Sequence, residues 1–118
     1  MANPNLINAT IVRGKSTIID LTTSTLTLIT NANNSNTLLK INSITAINRG
    51  VSIAEVTVFF IKNGTTFTLA NKIGVPAKSN LIIIDKEIQL YLEENDSLTA
   101  NSSIVSTLTL VCSYEILQ

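Results

Sequence analysis

The sequence predicts an all-β protein, an antiparallel β-sandwich that is jelly-roll-like. Ile, Val and Thr are abundant along the 118 residues, and their branched Cβ atoms favour the pleated strand. Apolar and polar residues alternate with a period of two along several short segments, as they do in strands with one buried face. Clusters of Asn, Gly, Ser and Pro separate these segments, and no segment has sustained helical periodicity. Many short strands between tight turns are typical of a sandwich or jelly roll.

In the first half of the chain, the alternation predicts strands near residues 6–12, 17–21, 25–30 and 38–47. The apolar phase slips across residues 22–25. This slip predicts a bulge or bend at which the chain turns a corner of the sandwich. The polar run NANNSN at residues 31–36 predicts a turn, because Asn and Ser side chains hydrogen-bond to nearby backbone groups.

In the second half, we expect strands near residues 55–62, 65–72, 81–85, 88–92 and 97–101, and a last strand from residue 104 onward. The first two flank Asn63 and Gly64, which tolerate the positive φ angles of a type I′ hairpin turn. Pro76 interrupts the pattern and argues against a central strand at that point. In the last strand the even positions, which include Leu110 and Cys112, form the more apolar face, and we expect this face to line the core.

The strand at residues 55–62 has two apolar faces. Val56 lies on one face with the next even positions, and Phe59 and Ile61 lie on the other. Such a strand is either central in its sheet or covered on its second face by another subunit. We take Phe59, Ile61 and, near the last strand, Val105 as candidate subunit-interface residues.

The sequence offers no constellation for catalysis, so we expect that the protein is not an enzyme and uses no cofactor, metal or small-molecule substrate. It has no His, the commonest general base and metal ligand, and a single Cys. Its four Gly residues are far apart, so no phosphate-binding loop is present. We interpret Cys112 as a small buried hydrophobe. We interpret the acidic run EEND at residues 93–96 as a solvated turn braced by Asp96, rather than as a Ca²⁺ site.

Charge and hydropathy argue against nucleic acid and membrane as partners. The formal net charge is zero and the eight Lys and Arg residues are scattered, whereas nucleic-acid affinity depends on clustered basic residues. A membrane-spanning helix needs about 20 apolar residues in a row, and the longest apolar runs, at residues 58–61 and 81–84, are far shorter. The N-terminus lacks a basic segment followed by an apolar one, so we expect no export by the usual route.

The length suits one domain that spans residues 1–118, with residues 1–5 as a short N-terminal arm. The arm is polar, and Pro4 prevents regular strand pairing there. We take Asn3, Pro4 and Asn5 as candidate contacts to a neighbouring subunit or to the surface that the protein covers.

Several stretches, in chain order, resemble small virion structural proteins of marine tailed phages. They are MANPNLINAT at residues 1–10, AEVTV at 54–58 with the turn NGTT at 63–66, IGVPA at 73–77 followed by LIIIDK at 81–86, LYLEENDSL at 90–98 and VCSYE at 111–115. The pattern departs at Asn95, where the resemblance implies Gly. Asn also tolerates a left-handed φ angle, so we expect the turn to survive. The resemblance is weak between residues 18 and 36.

The resemblance implies a capsid decoration (cement) protein with a jelly-roll-like fold. Such a protein binds the major capsid protein as a homotrimer on the capsid exterior of the virion, after assembly in the host cytoplasm, and the N-terminal arm would contact the capsid. Two alternatives stay open. One is a neck, tail or fibre-base component of the virion. The other is a carbohydrate-binding or adhesion module, although the five aromatic residues all lie in strand patterns and not in loops.

Overall fold

The computed structural model describes residues 12–85, 90–105 and 107–118, and these residues form two antiparallel β-sheets packed face to face. Strands account for all regular structure in these ranges, and no helix long and apolar enough to cross a membrane occurs in them. The described strands are β1 (Val12–Asp20), β2 (Leu26–Thr30), β3 (Leu38–Asn48), β4 (Ala54–Lys62), β5 (Thr65–Val75), β6 (Asn80–Ile84), β7 (Leu90–Leu92), β8 (Ser97–Ser102) and β9 (Leu108–Leu117).

Sheet A has the order β1-β9-β3, with β6 and β7 one after the other along the far edge of β3. Sheet B has the order β2-β8-β4-β5. If β6 and β7 are counted as one interrupted strand, each sheet has four strands, and chain order distributes them between the sheets as in a jelly roll. The predicted antiparallel, jelly-roll-like sandwich is therefore confirmed.

The core lies between the inner faces of the two sheets. Alternate residues of β3 and β9, including Ile41, Ile44, Leu110 and Cys112, are fully buried there. Burial of each Leu or Ile contributes about 1.5–3 kcal/mol. The predicted core-facing positions of the last strand are thus confirmed from Leu108 onward.

The tight turns also follow the sequence. Asn63 and Gly64 have φ angles of 52° and 86°, which are the angles that a type I′ turn between β4 and β5 requires. Asn95 has a φ angle of 72°, so Asn takes the left-handed conformation that the resemblance assigns to Gly. Asn and Gly thus provide the positive φ angles at these turns.

The phase slip at residues 22–25 marks the predicted corner. β1 lies in sheet A and β2 lies in sheet B, so the chain changes sheet at this point. Leu21 is fully buried, and its N–H donates to the carbonyl of Leu108 at 2.8 Å. On the other side of the corner, the N–H of Ser102 donates to the carbonyl of Thr22 at 2.9 Å. The corner is therefore tied to both sheets.

Some strand limits differ from the prediction. β1 begins by Val12 and continues through Gly14 without a break, because β9 pairs with it along its whole length. β5 continues to Val75, directly before Pro76, and lies at the edge of sheet B as Pro76 indicates. The last strand begins at Leu108 because the Ser102 hydroxyl bonds to the backbone of Ile104 and ends β8 in a turn. The strand predicted at residues 6–12, apart from Val12, lies outside the described residues.

Candidate interaction surfaces

The described residues contain no group of three or more His, Cys, Asp or Glu side chains that is placed to hold a metal ion. Cys112 is fully buried on the inner face of β9. Burial raises the pKa of its thiol to about 11, so the thiol is protonated and out of contact with solvent at neutral pH. Cys112 is therefore part of the core, as the sequence predicts.

The acidic turn between β7 and β8 is built around a buried carboxylate. Asp96 is 1% exposed, and its Oδ2 accepts hydrogen bonds from Lys62 Nζ at 3.1 Å and from the N–H of Glu93 at 3.0 Å. Its Oδ1 accepts from the N–H of Asn63 at 3.2 Å. Hydrogen bonds from Lys62 to Glu93 and Asp96 raise the pKa of Lys62. The prediction that Asp96 braces the turn is confirmed, but the description of this turn as solvated is wrong for Asp96, whose partners replace water.

Asn31 joins the loop between β2 and β3 to β7 at the same end of the sandwich. It is almost fully buried, and its amide nitrogen donates to the carbonyls of Thr37 at 3.0 Å and Leu92 at 2.8 Å. Its amide oxygen accepts from the hydroxyls of Ser35 and Thr37. All hydrogen-bonding positions of the Asn31 amide group are thus used within the protein, so we assign Asn31 a structural role.

Phe59 and Ile61 lie on the outer face of sheet B, and both are half-buried. β4 is a central strand, and Phe59 stands between Thr68 of β5 and Thr99 of β8 in the same row. Neighbouring side chains of the same sheet therefore cover part of both residues. The first of the two explanations for a strand with two apolar faces, a central position, applies to β4.

Val105 lies apart from Phe59 and Ile61. It is exposed in the loop between β8 and β9, whereas Ile61 pairs with Ser97 at the other end of β8. The N–H of Ser103 donates to the carbonyl of Glu55, so Val105 lies near the Glu55 end of β4. Glu55 and Ile61 are six residues apart along this strand, a distance of about 20 Å. The structure thus brings two of the three candidate interface residues together and places the third on a different surface.

Val105 belongs to an apolar loop end, formed by the loops that connect β3 to β4 and β8 to β9. Backbone hydrogen bonds from Arg49 to Thr107 and from Ser103 to Glu55 hold the loops side by side. Four exposed apolar side chains project from them: Val51, Ile53, Ile104 and Val105. Val51 is 84% exposed. Sequence alternation could not reveal this group, because its members lie in two separate loops.

A groove of about 330 Å³ runs along the open side of the sandwich, between the edge strands β5 and β6. Apolar side chains from both strands line it, among them Leu69, Ile73 and Leu81. Phe67 of β5 is 54% exposed and is the exposed member of the five aromatic residues; the others are half-buried. An exposed aromatic side chain is a feature that sugar-binding sites use, but it stands alone here.

The outer face of sheet A carries a row of side chains that crosses the whole sheet. Cα pairing places Ile18 of β1 beside Val111 of β9, Val111 beside Thr45 of β3, and Thr45 beside Ile82 of β6. We call these four residues the apolar row, after its three aliphatic members and the methyl group of Thr45. Ile18 and Ile82 are 68% and 60% exposed. The row was missed in the sequence because its members come from four strands whose register only the fold defines.

Further along the same face, polar residues replace the apolar row. The next row consists of three serines, Ser16, Ser113 and Ser43. Beyond it, Lys40 of β3 and Glu115 of β9 are neighbours by backbone pairing.

The candidate arm residues, Asn3, Pro4 and Asn5, lie outside the described residues.

No protein-family model and no curated protein matches this chain. Among solved structures, the chain is similar to a protein of Bacillus endospore appendages, which are described as a novel family of disulfide-linked pili. The match covers 99% of this chain and 95% of that chain, with 15% sequence identity and a TM-score of 0.55. At this identity the likeness shows a shared β-sandwich fold. The similar structure is a pilus protein and not a phage virion protein.

Proposed function

We propose that the protein is a non-catalytic structural subunit that packs against other protein surfaces in an assembly of many copies. The observation that carries the proposal is the exposure of ten large apolar side chains among the described residues. Eight of the ten, all except Val12 and Phe67, are grouped at the apolar loop end, along the groove or in the apolar row. Single exposed apolar residues are ordinary, but grouped ones mark interaction surfaces.

At a finer level, we propose a capsid decoration role, in which the protein binds the major capsid protein on the outside of a phage head as a homotrimer. The resemblance of the sequence to phage virion proteins and the jelly-roll strand order support this role. Repetition on a symmetric shell adds avidity, so that modest contacts suffice for stable binding. A neck, tail or fibre-base position would use the same surfaces and differs in copy number.

The likeness to a pilus protein supports a role in assembly but not a covalent linkage. Cys112 is the single Cys of this sequence, and it is fully buried in the core. A disulfide between subunits would require this strand to leave the sheet. We therefore propose that these 118 residues assemble through non-covalent contacts.

Co-sedimentation with capsid shells tests the decoration role. The shells are assembled from the major capsid protein encoded nearest to the gene of this chain. We expect saturable binding, with copies in the hundreds per shell. Binding at about a dozen sites would favour a neck or tail position instead, and an absence of binding to shells would contradict the decoration role.

A further inference from the structure

We propose that the outer face of sheet A binds the same face of a second copy of this chain, across a two-fold axis that runs along the strands between β9 and β3. This inference rests on the assembly role proposed above and names one of its contacts. Contacts across a two-fold axis use the same patch on both subunits, so the patch must match itself.

This axis places the apolar row of one copy directly against the apolar row of the other. The strand order β1-β9-β3-β6 is reversed in the second copy, so Ile18 of one copy faces the partner's Ile82. In the middle of the sheet, Val111 faces the partner's Thr45. Each of these contacts occurs twice. The two most exposed apolar side chains of the face thus cover each other.

The same arrangement also brings together opposite charges of the two copies, those of Lys40 and Glu115. Glu115 and Lys40 lie on β9 and β3, the two strands that flank the axis. The reversal places Lys40 over the partner's Glu115, and Glu115 over the partner's Lys40. Lys40 forms no ion pair within the described part of the chain, and Glu115 accepts a hydrogen bond from Asn42 at 3.1 Å. Lys40 is therefore available to a carboxylate of another copy.

A two-fold axis across the strands does not give this match. It would exchange the two ends of the face and place Lys40 over the partner's Ile47, with Glu115 over the partner's Thr109. A charge buried against an aliphatic side chain without a partner is costly. Charge therefore favours the axis along the strands.

The size of the face predicts a weak contact. Four strands span about 20 Å, and the distance from the Lys40 row to the Ile47 row is also about 20 Å, so each copy offers about 400 Å². Interfaces of this size are at the low end of specific association, and we expect a dissociation constant in the micromolar range or above. The formal net charge of zero adds no repulsion between copies. The contact joins two copies of the existing unit: two monomers form a dimer, or two trimers form a hexamer.

Charge reversal provides a sharp test. Lys40→Glu and Glu115→Lys each place like charges opposite one another when a variant meets its own kind. When the two variants meet each other, both contacts have opposite charges. By sedimentation velocity, we expect each variant alone to associate at least about tenfold more weakly than the unmodified chain, and we expect the mixture to regain association as a mixed species.

Lys78→Glu is the matched control, because Lys78 is exposed in the loop between β5 and β6 and is not on any of the strands that form this face. We expect its association to equal that of the unmodified chain. A mixture that associates no better than either variant alone would overturn the inference, and so would an unmodified chain that shows no doubling up to millimolar concentration. A merely intramolecular role of Lys40 and Glu115 cannot produce rescue by mixing.

The shell experiment separates this inference from the proposed function. If the unmodified chain binds shells but mixing fails to rescue association, the two-fold contact is wrong and the decoration role stands. If mixing succeeds and shells are not bound, the contact stands and the decoration role is wrong.

Discussion

At the scale of single residues, the polar groups that matter most are buried and have several partners. Asp96 holds two turns through Lys62 and through two backbone N–H groups. The sequence suggests that Asp96 braces its own turn, because an acidic residue at that position of a short turn is a local signal. It does not reveal Lys62, which lies 34 residues earlier and is brought close only by the pairing of β4 with β8.

We expect Asp96→Asn to lower the free energy of unfolding by about 2–3 kcal/mol, because it removes a buried charge with three donors. Urea denaturation followed by circular dichroism measures this change. Glu93→Gln is the matched control, since Glu93 contacts the same Lys62 from an exposed position. We expect it to cost less than about 1 kcal/mol. Equal effects of the two variants would contradict the role assigned to Asp96.

The buried thiol of Cys112 gives a pH dependence. Its pKa is raised from 9.0 to about 11 in the folded chain, so its contribution to stability is complete below pH 9 and is lost as pH rises from 9 to 11. A shift of this size corresponds to about 3 kcal/mol. We expect the free energy of unfolding of the unmodified chain to fall across this range more steeply than that of Cys112→Ala.

Cys112→Ala also removes a buried sulfur atom, so we expect it to be less stable at neutral pH by about 1 kcal/mol. The comparison therefore concerns the slopes between pH 9 and about 11, because other groups titrate equally in both proteins. Parallel slopes would show that the thiol is not desolvated as described.

At the scale of elements, the turns were the most predictable part of the fold. Asn63-Gly64 specifies its turn by itself, because few other pairs adopt two positive φ angles in sequence. Strand limits were less predictable. Gly14 and Lys15 interrupt the apolar pattern of β1, but an edge strand that is mostly exposed tolerates them while β9 supplies the pairing.

The hairpin between β4 and β5 allows a paired glycine test. Gly64 has a φ angle of 86°, so we expect Gly64→Ala to lower the free energy of unfolding by about 1–2 kcal/mol. Gly14 has open space where a Cβ would lie and no positive φ angle. We therefore expect Gly14→Ala to be neutral or to stabilise the protein by up to about 1 kcal/mol.

Thermal unfolding of both glycine variants at one protein concentration measures the difference. The hairpin would not depend on the left-handed angle at Gly64 if both variants had the same midpoint as the unmodified chain.

At the scale of the whole molecule, the sequence predicted the architecture but not the surfaces. Alternation within one strand shows which residues share a face, and this was sufficient to assign the core-facing positions of β9. A surface that crosses four strands depends on register, which long-range pairing determines. The sequence therefore directed attention to Phe59 and Ile61, whereas the most exposed apolar residues of a sheet face, Ile18 and Ile82, became visible only in the fold.

The function that we propose for the whole molecule is to pack against other protein surfaces in an assembly of many copies. A cryo-EM map of the assembly with which the chain co-purifies from its native source tests this proposal. We predict jelly-roll density in many copies, with the apolar loop end, the groove or the outer face of sheet A against neighbouring proteins; under the decoration role proposed above, this density lies on the outside of a phage head. A chain that purifies from its native source as a monomer bound to no other protein would contradict this proposal.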